Sequence, residues 1–135
     1  MSLFKSEEVW IFSPMEGVIT FQGEPAANAQ IVRVLKWKDD EGETERFEAG
    51  SDGAFWIPGK QETLKTFLPA QFVAHQAVFV EFNGEEFQIW EMGKLDKGKF
   101  AETGQELSNL RCELTDEMQP VEVAGGLLMT SCKWE

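Results

Sequence analysis

AVFVEFNGEEFQIW, residues 77–90, decides the fold. Asn83-Gly84 is the dipeptide of a two-residue type I′ turn, because both of its positions require positive φ. Pairing outward from that turn sets Phe82 opposite Glu85, Val80 opposite Phe87 and Val78 opposite Ile89. Val78, Val80, Phe82, Phe87 and Ile89 then share one face. The other face carries Phe79, Glu81, Glu86, Gln88 and Trp90, with two carboxylates directly across from each other that require solvent or a partner. One apolar face and one mixed face describe an antiparallel sheet covering a core on one side.

The same rhythm runs outward. Turn residues recur at 22–23 (QG), 39–42 (DDEG), 51–53 (SDG) and 124–126 (AGG), between short apolar runs. This spacing predicts an all-β antiparallel sandwich in place of βαβ units. Residues 61–74, QETLKTFLPAQFVA, set Leu64, Phe67 and Leu68 at helical spacing before Pro69 stops them, which predicts a short helical turn or an irregular crossover, at most one short helical crossover in all. KLDKGKFAETGQE, 94–106, has little apolar content and reads as a long exposed loop holding a basic cluster, Lys94, Lys97 and Lys99. NLRCELT alternates, with Leu110, Cys112 and Leu114 on one face, and LLMTSCKW supplies a last strand.

A second stretch, GVITFQGEPAANAQIVR at 17–33, begins as a strand, breaks at Gly23-Glu24-Pro25 and re-enters an apolar run. Gly23 permits a turn conformation that a Cβ disfavours, Pro25 fixes φ, and the small Ala29 lets the next strand pack closely. Further on, Asp52-Gly53 marks a hairpin turn, with Phe55 and Ile57 on one face of the strand that follows. Alternation from Ala29 and Ile31 puts Arg33 on the face of Leu35 and Trp37, so either a bulge shifts the register or Arg33 is paired near an edge. The combination G-x-V, G-x-P, a small residue opening the next strand, then D-G-x-F before Pro58 resembles the carboxypeptidase regulatory-like, transthyretin-like sandwich family. The resemblance covers residues 15–58 and implies a transthyretin-like or immunoglobulin-like sandwich fold, not an activity. Residues 1–135 are read as one domain, the portion 15–58 being extended over 59–135 by the hairpin 77–90 and the C-terminal strands.

Composition bounds the function. In 135 residues, 42% are hydrophobic, with eleven Phe and five Trp to fill a single core. Twenty-four acidic against twelve basic residues leave a net charge of -12. That field repels phosphate backbones and anionic lipid headgroups and attracts basic surfaces, so no nucleic-acid or membrane partner is expected. The N-terminal MSLFKSEEVWIFSPMEG lacks the apolar run of a signal peptide or membrane span, which gives a cytoplasmic expectation. Cys112 and Cys132, without CxxC spacing, are then read as small buried thiols.

Chemistry is sparsely signalled. His75, the only histidine, has no nucleophile elbow or reactive-cysteine motif beside it. No catalytic residue is assigned and no enzyme is expected. The run Asp39-Asp40-Glu41-Gly42-Glu43 lacks the ligand spacing of a calcium loop and reads as a solvated hairpin tip. Neither a zinc motif nor a phosphate-binding glycine loop occurs, so no metal and no cofactor are expected. Each of the five tryptophans reads first as core or edge cover, and only secondarily as a sugar platform.

The expected function is therefore non-catalytic protein binding to a basic surface. Phe79 and Trp90 would act as aromatic anchors, with Glu81, Glu86, Gln88, Asp39, Asp40 and Glu41 steering the partner. The sharper expectation is a bacterial immunity protein that binds and neutralises a secretion-system-delivered toxin. The alternatives are a carbohydrate or cell-envelope binding module, and a structural or assembly subunit that adds a sheet edge to a neighbour.

Overall fold

The computed structural model describes residues 5–37, 41–66 and 72–134. Within them the chain forms strands and turns and no helix. The strands are β1 (Lys5–Phe12), β2 (Met15–Phe21), β3 (Glu24–Pro25), β4 (Gln30–Lys36), β5 (Glu43–Glu48), β6 (Ala54–Ile57), β7 (Lys60–Thr66), β8 (Ala74–Phe82), β9 (Glu85–Lys94), β10 (Leu107–Glu113), β11 (Gln119–Val123), β12 (Gly126–Thr130) and β13 (Cys132–Lys133).

Two sheets make the sandwich. One has six strands in the order β11-β12-β9-β8-β4-β5, all antiparallel. The other runs β13-β10-β2-β3, with β6 also paired to β2. Its β10–β2 pair is parallel, with Leu110 beside Gly17 and Cys112 beside Ile19. A β-carbon on Gly17 would stand 2.1 Å from the Leu110 carbonyl oxygen, so the strands could not approach this closely with any other residue there. Between the sheets, Ile31, Leu35, Val78, Val80 and Met92 meet Met15, Ile19, Phe55, Ile57 and Leu110 in one buried cluster. Phe21 of β2 reaches across to Phe82 and Phe87, with centroids 5.5 and 6.0 Å away.

The Asn83-Gly84 hairpin forms as its residues dictate, with φ of 54° and 75° at the two turn positions. Leu110, Cys112 and Leu114 are buried together, and Phe55 and Ile57 point inward on either side of the exposed Trp56. Arg33 takes the second of its two alternatives. It is buried on the inner face of β4 and paired at 2.8 Å with Glu45 of the edge strand β5. Phe12 and Phe47 flank its guanidinium at 4.7 and 5.2 Å, which offsets the cost of burying the charge.

Several expectations are corrected. Residues 60–66 are not helical but form β7, paired antiparallel with β1, where Leu64 faces Glu7. The ladder to β1 satisfies the backbone and overrides a local spacing that only mimicked a helix. Phe67, Leu68 and Pro69 lie outside the described residues. Asp52-Gly53 does not join a hairpin: β5 and β6 belong to different sheets, and the turn carries the chain between them. There the Asp52 carboxylate accepts from the Ala54 amide at 2.9 Å. The run LLMTSCKW is two strands, since β12 lies in one sheet and β13 in the other, with Ser131 at the crossing. Finally, Cys112 and Cys132 are not separate thiols. They stand opposite one another in β10 and β13 and are joined as a disulfide.

Candidate functional site

The outer face of the six-stranded sheet is built by alternation on its central strands. On β8 the inward set is Ala74, Gln76, Val78 and Val80, leaving His75, Ala77, Phe79 and Glu81 outside. Pairing carries these outward residues into rows across the sheet. Val32, Phe79 and Gln88 form one row, Val34, Ala77, Glu91 and Met129 a second, and Lys36, His75, Gly93 and Leu127 a third. All of these residues but Val32 line an open trough of about 1420 Å³. Leu127 is 81% exposed and Met129 38%, unusual for apolar side chains that are neighbours on one sheet face.

Phe79, Glu81, Glu86 and Gln88 stand on this outer face, as the hairpin register predicts. Glu81 is paired with Arg46 through hydrogen bonds of 2.8 and 3.4 Å. These bonds hold its carboxyl below the usual carboxylate range and push the Arg46 guanidinium up. Trp90 is corrected: it is 1% exposed and belongs to the core. The ladder pairs Phe79 with Gln88 but Val78 with Trp90, so Ile89 is an extra residue in β9. One extra residue reverses the facing of everything beyond it. The carbonyl of Ile89 accepts from Thr130 Oγ1 at 2.7 Å and from the Ser131 amide at 3.2 Å, which satisfies the group that the bulge takes out of the ladder. Beyond the bulge, Glu91 and Gly93 take the outward positions. Asp39 and Asp40 lie outside the described residues. Glu41 is exposed at the β4–β5 connection and does not line the trough.

A buried polar network lies beneath the trough. Trp90 Nε1 donates to Gln76 Oε1 at 2.8 Å, and Gln76 Nε2 donates at 2.9 Å both to the Ile11 carbonyl and to Glu102. The Glu102 carboxylate also accepts from the Ser13 amide at 2.9 Å and the Ser13 hydroxyl at 2.7 Å. Lys94 Nζ donates to the carbonyls of Trp10 and Gly98. Burial pushes the Lys94 ammonium down, against the opposing pull of Glu102 and Asp96. These contacts correct the reading of 94–106 as a long exposed loop. Lys94 and Glu102 are fully buried, and the segment is fastened at both points to β1 and the β1–β2 corner. The basic cluster is likewise dispersed, with Lys97 paired to Glu7 at 2.6 Å and Lys99 over the Trp10 ring at 4.9 Å.

Chemically, the face offers apolar contact, carboxylates and one imidazole. His75 is exposed on the third row, and the disulfide leaves neither sulfur a free thiol. Among the described residues, no group of three or more His, Cys, Asp and Glu side chains is placed to hold a metal ion. Sequence reasoning missed Val34, Ala77, Glu91, Gly93, Leu127 and Met129. The available signal was LLMT, apolar on both alternating faces, which marks a strand with more than a core to cover.

Residues 15–117, from the start of β2 to just past β10, match a domain of unknown function, DUF6795. The chain belongs to the DUF6795 family. The matched span contains β2 through β10 and hence both central strands of the trough, β8 and β9; β11 and β12, the latter supplying Leu127 and Met129, follow it. The DUF6795 description names no activity and does not name the carboxypeptidase regulatory-like family. No curated protein and no solved structure matches the chain.

Proposed function

We propose that this DUF6795 chain is a non-catalytic protein-binding protein that engages a basic partner through the outer face of its six-stranded sheet. The observation that carries this reading is the trough itself. An apolar strip of the half-buried Val34, Ala77 and Phe79 and the exposed Leu127 and Met129 is interrupted by Glu91 and bordered by Glu122, on a molecule of net charge -12. Apolar centre and charged rim are the parts of a protein interface, the first supplying desolvation and the second steering encounter.

Within that class we place it as an immunity-type protein that neutralises a basic bacterial toxin, with the carboxylates steering association. The cystine weighs toward work in an oxidising compartment over the cytosol expected from the N-terminal residues. The lineage we propose for the strands is the carboxypeptidase regulatory-like sandwich. In its support, Gly17 sits at the tight β2–β10 contact and Gly23 and Gly53 adopt φ of 82° and 79°. A second reading, a cell-envelope carbohydrate module, has the cystine and the 59% exposed Trp56 in its favour.

The test is affinity capture from the native cell, comparing wild type with a Phe79→Glu, Leu127→Glu variant whose fold is checked by circular dichroism. The expected result is one basic protein, retained by wild type, lost with the variant, and associating more slowly as salt rises. Retention of the same protein by the folded variant would remove the trough from the interface. A glycan-dependent change in tryptophan fluorescence, abolished by Trp56→Ala, would favour the envelope module instead.

A further inference from the structure

Resting on that reading, we propose that the occupant of the trough is a cationic amphipathic helix of the partner protein, one of whose Lys or Arg side chains lies in a notch over Gly93 with its head on Glu91. Three observations combine. First, the trough crosses β4, β8, β9 and β12, strands laddered on both sides, and ends on the edge strand β11. A segment lying on that face finds few main-chain partners and must satisfy its own backbone, which a helix does and an extended strand does not. Five strands at about 4.8 Å spacing give a track of roughly 19 Å, the length of about 13 helical residues.

Second, Gly93 leaves a gap in the third row. It stands between His75 and Leu127, and a β-carbon built on it meets nothing within 4 Å. The gap is thus open toward solvent, floored by backbone, and walled on one side by an apolar side chain that is itself 81% exposed.

Third, Glu91 occupies the middle of the apolar strip, between Ala77 and Met129 and two residues before Gly93 on the same face. Its carboxylate lies at the long distance of 3.4 Å from Gln88 Nε2. A carboxylate among apolar neighbours suits a side chain with an aliphatic stem and a cationic head, and disfavours an acidic or wholly apolar one.

The probe is a synthetic peptide of about 14 residues with Leu at helical i, i+3, i+4, i+7 spacing and Arg elsewhere. Two controls replace every Arg by Glu, or every Leu by Ser. Binding is read by nitrogen–proton correlation spectra and by fluorescence anisotropy on the full chain. The Leu/Arg peptide is expected to gain helicity and to shift the amides of Ala77, Gly93, Leu127 and Met129. Both controls bind weakly. Gly93→Val fills the notch with a side chain whose β-carbon has no neighbour within 4 Å, and Glu91→Gln removes the charge; each is expected to weaken binding roughly tenfold. Affinity unchanged in both folded variants, equal binding by the Ser control, or a concentration-dependent dimer that buries the trough would each overturn the proposal. These outcomes are separate from capture of the native partner: loss of that partner in the Phe79, Leu127 variant with retention in Gly93→Val would keep the interface and reject only the helix and its anchor.

Discussion

Five hydrogen bonds converge on the carboxylate of Glu113, from Thr20 Oγ1, the amides of Gln22, Gly23 and Thr115, and Thr115 Oγ1, at 2.7 to 3.0 Å. Partial burial acts to raise its pKa, but the bonds from Thr115, Gly23 and Gln22 outweigh burial and hold it at about 2, against an ordinary value of 4.5. A carboxyl depressed on folding contributes stability that is fully present above its unfolded value and disappears as pH falls through its folded value. Glu113→Gln is therefore expected to destabilise the protein by about 1–2 kcal/mol at neutral pH. Between pH 4.5 and about 2 the wild type should converge on the variant; urea unfolding at pH 7, 4 and 2.5 checks this. Parallel curves across that range would mean that the carboxylate is not held as described. None of this was legible from Glu113 itself, which sits in a clean alternation between Cys112 and Leu114. Only the Thr115 donors are local; Thr20, Gln22 and Gly23, at the end of β2 and in the turn after it, lie 90 to 93 positions earlier.

At the scale of elements, the segment 95–106 is a buried-polar latch. Glu102→Ala would leave the Ser13 amide, the Ser13 hydroxyl and one Gln76 donor without their acceptor, at a cost on the order of 3 kcal/mol. The expected signature is local. The Phe100 amide, which donates to Ser13 Oγ, should lose hydrogen-exchange protection, while the Ile19 amide bonded to the Gly53 carbonyl keeps it. Uniform loss at both amides would show that the segment and the sandwich unfold as one unit. The contrast with the hairpin 77–90 explains what sequence could deliver. Asn83-Gly84 and the alternation around it are local causes, so the turn and the four pairs nearest to it were readable. The bulge at Ile89 has a distant cause, the hydroxyl of Thr130, 41 residues on. Trp90 was consequently assigned to the wrong face and Glu91 and Gly93 were overlooked. Composition likewise made 94–106 look soluble, because the buried Lys94 and Glu102 find most of their partners at distant positions, Trp10, Ser13 and Gln76.

For the whole molecule, the cystine ties β10 to β13 and so fastens the segment after the β12 crossing to the five-stranded sheet. Closing a loop of this size restricts the unfolded chain by about 3 kcal/mol. Reduction is expected to lower the melting temperature by roughly 10 °C without changing the strand content, a comparison open to calorimetry and circular dichroism with and without a phosphine reductant. An identical midpoint in both states would mean that the bridge adds nothing to stability. The all-β sandwich was visible from turn spacing and alternation, but the allocation of strands to sheets was not, since β5 to β6 and β12 to β13 each change sheet within a few residues. The parallel pairing of β2 with β10 bears on biosynthesis. Thr20 and Glu113, bonded at 3.0 Å, are 93 positions apart, so a nascent chain carries β2 with one flank bare until nearly everything between them has been translated. Ribosome-bound intermediates of this protein are thereby the species most exposed to wrong strand pairing, and a holding chaperone would find its target in the bare flank of β2.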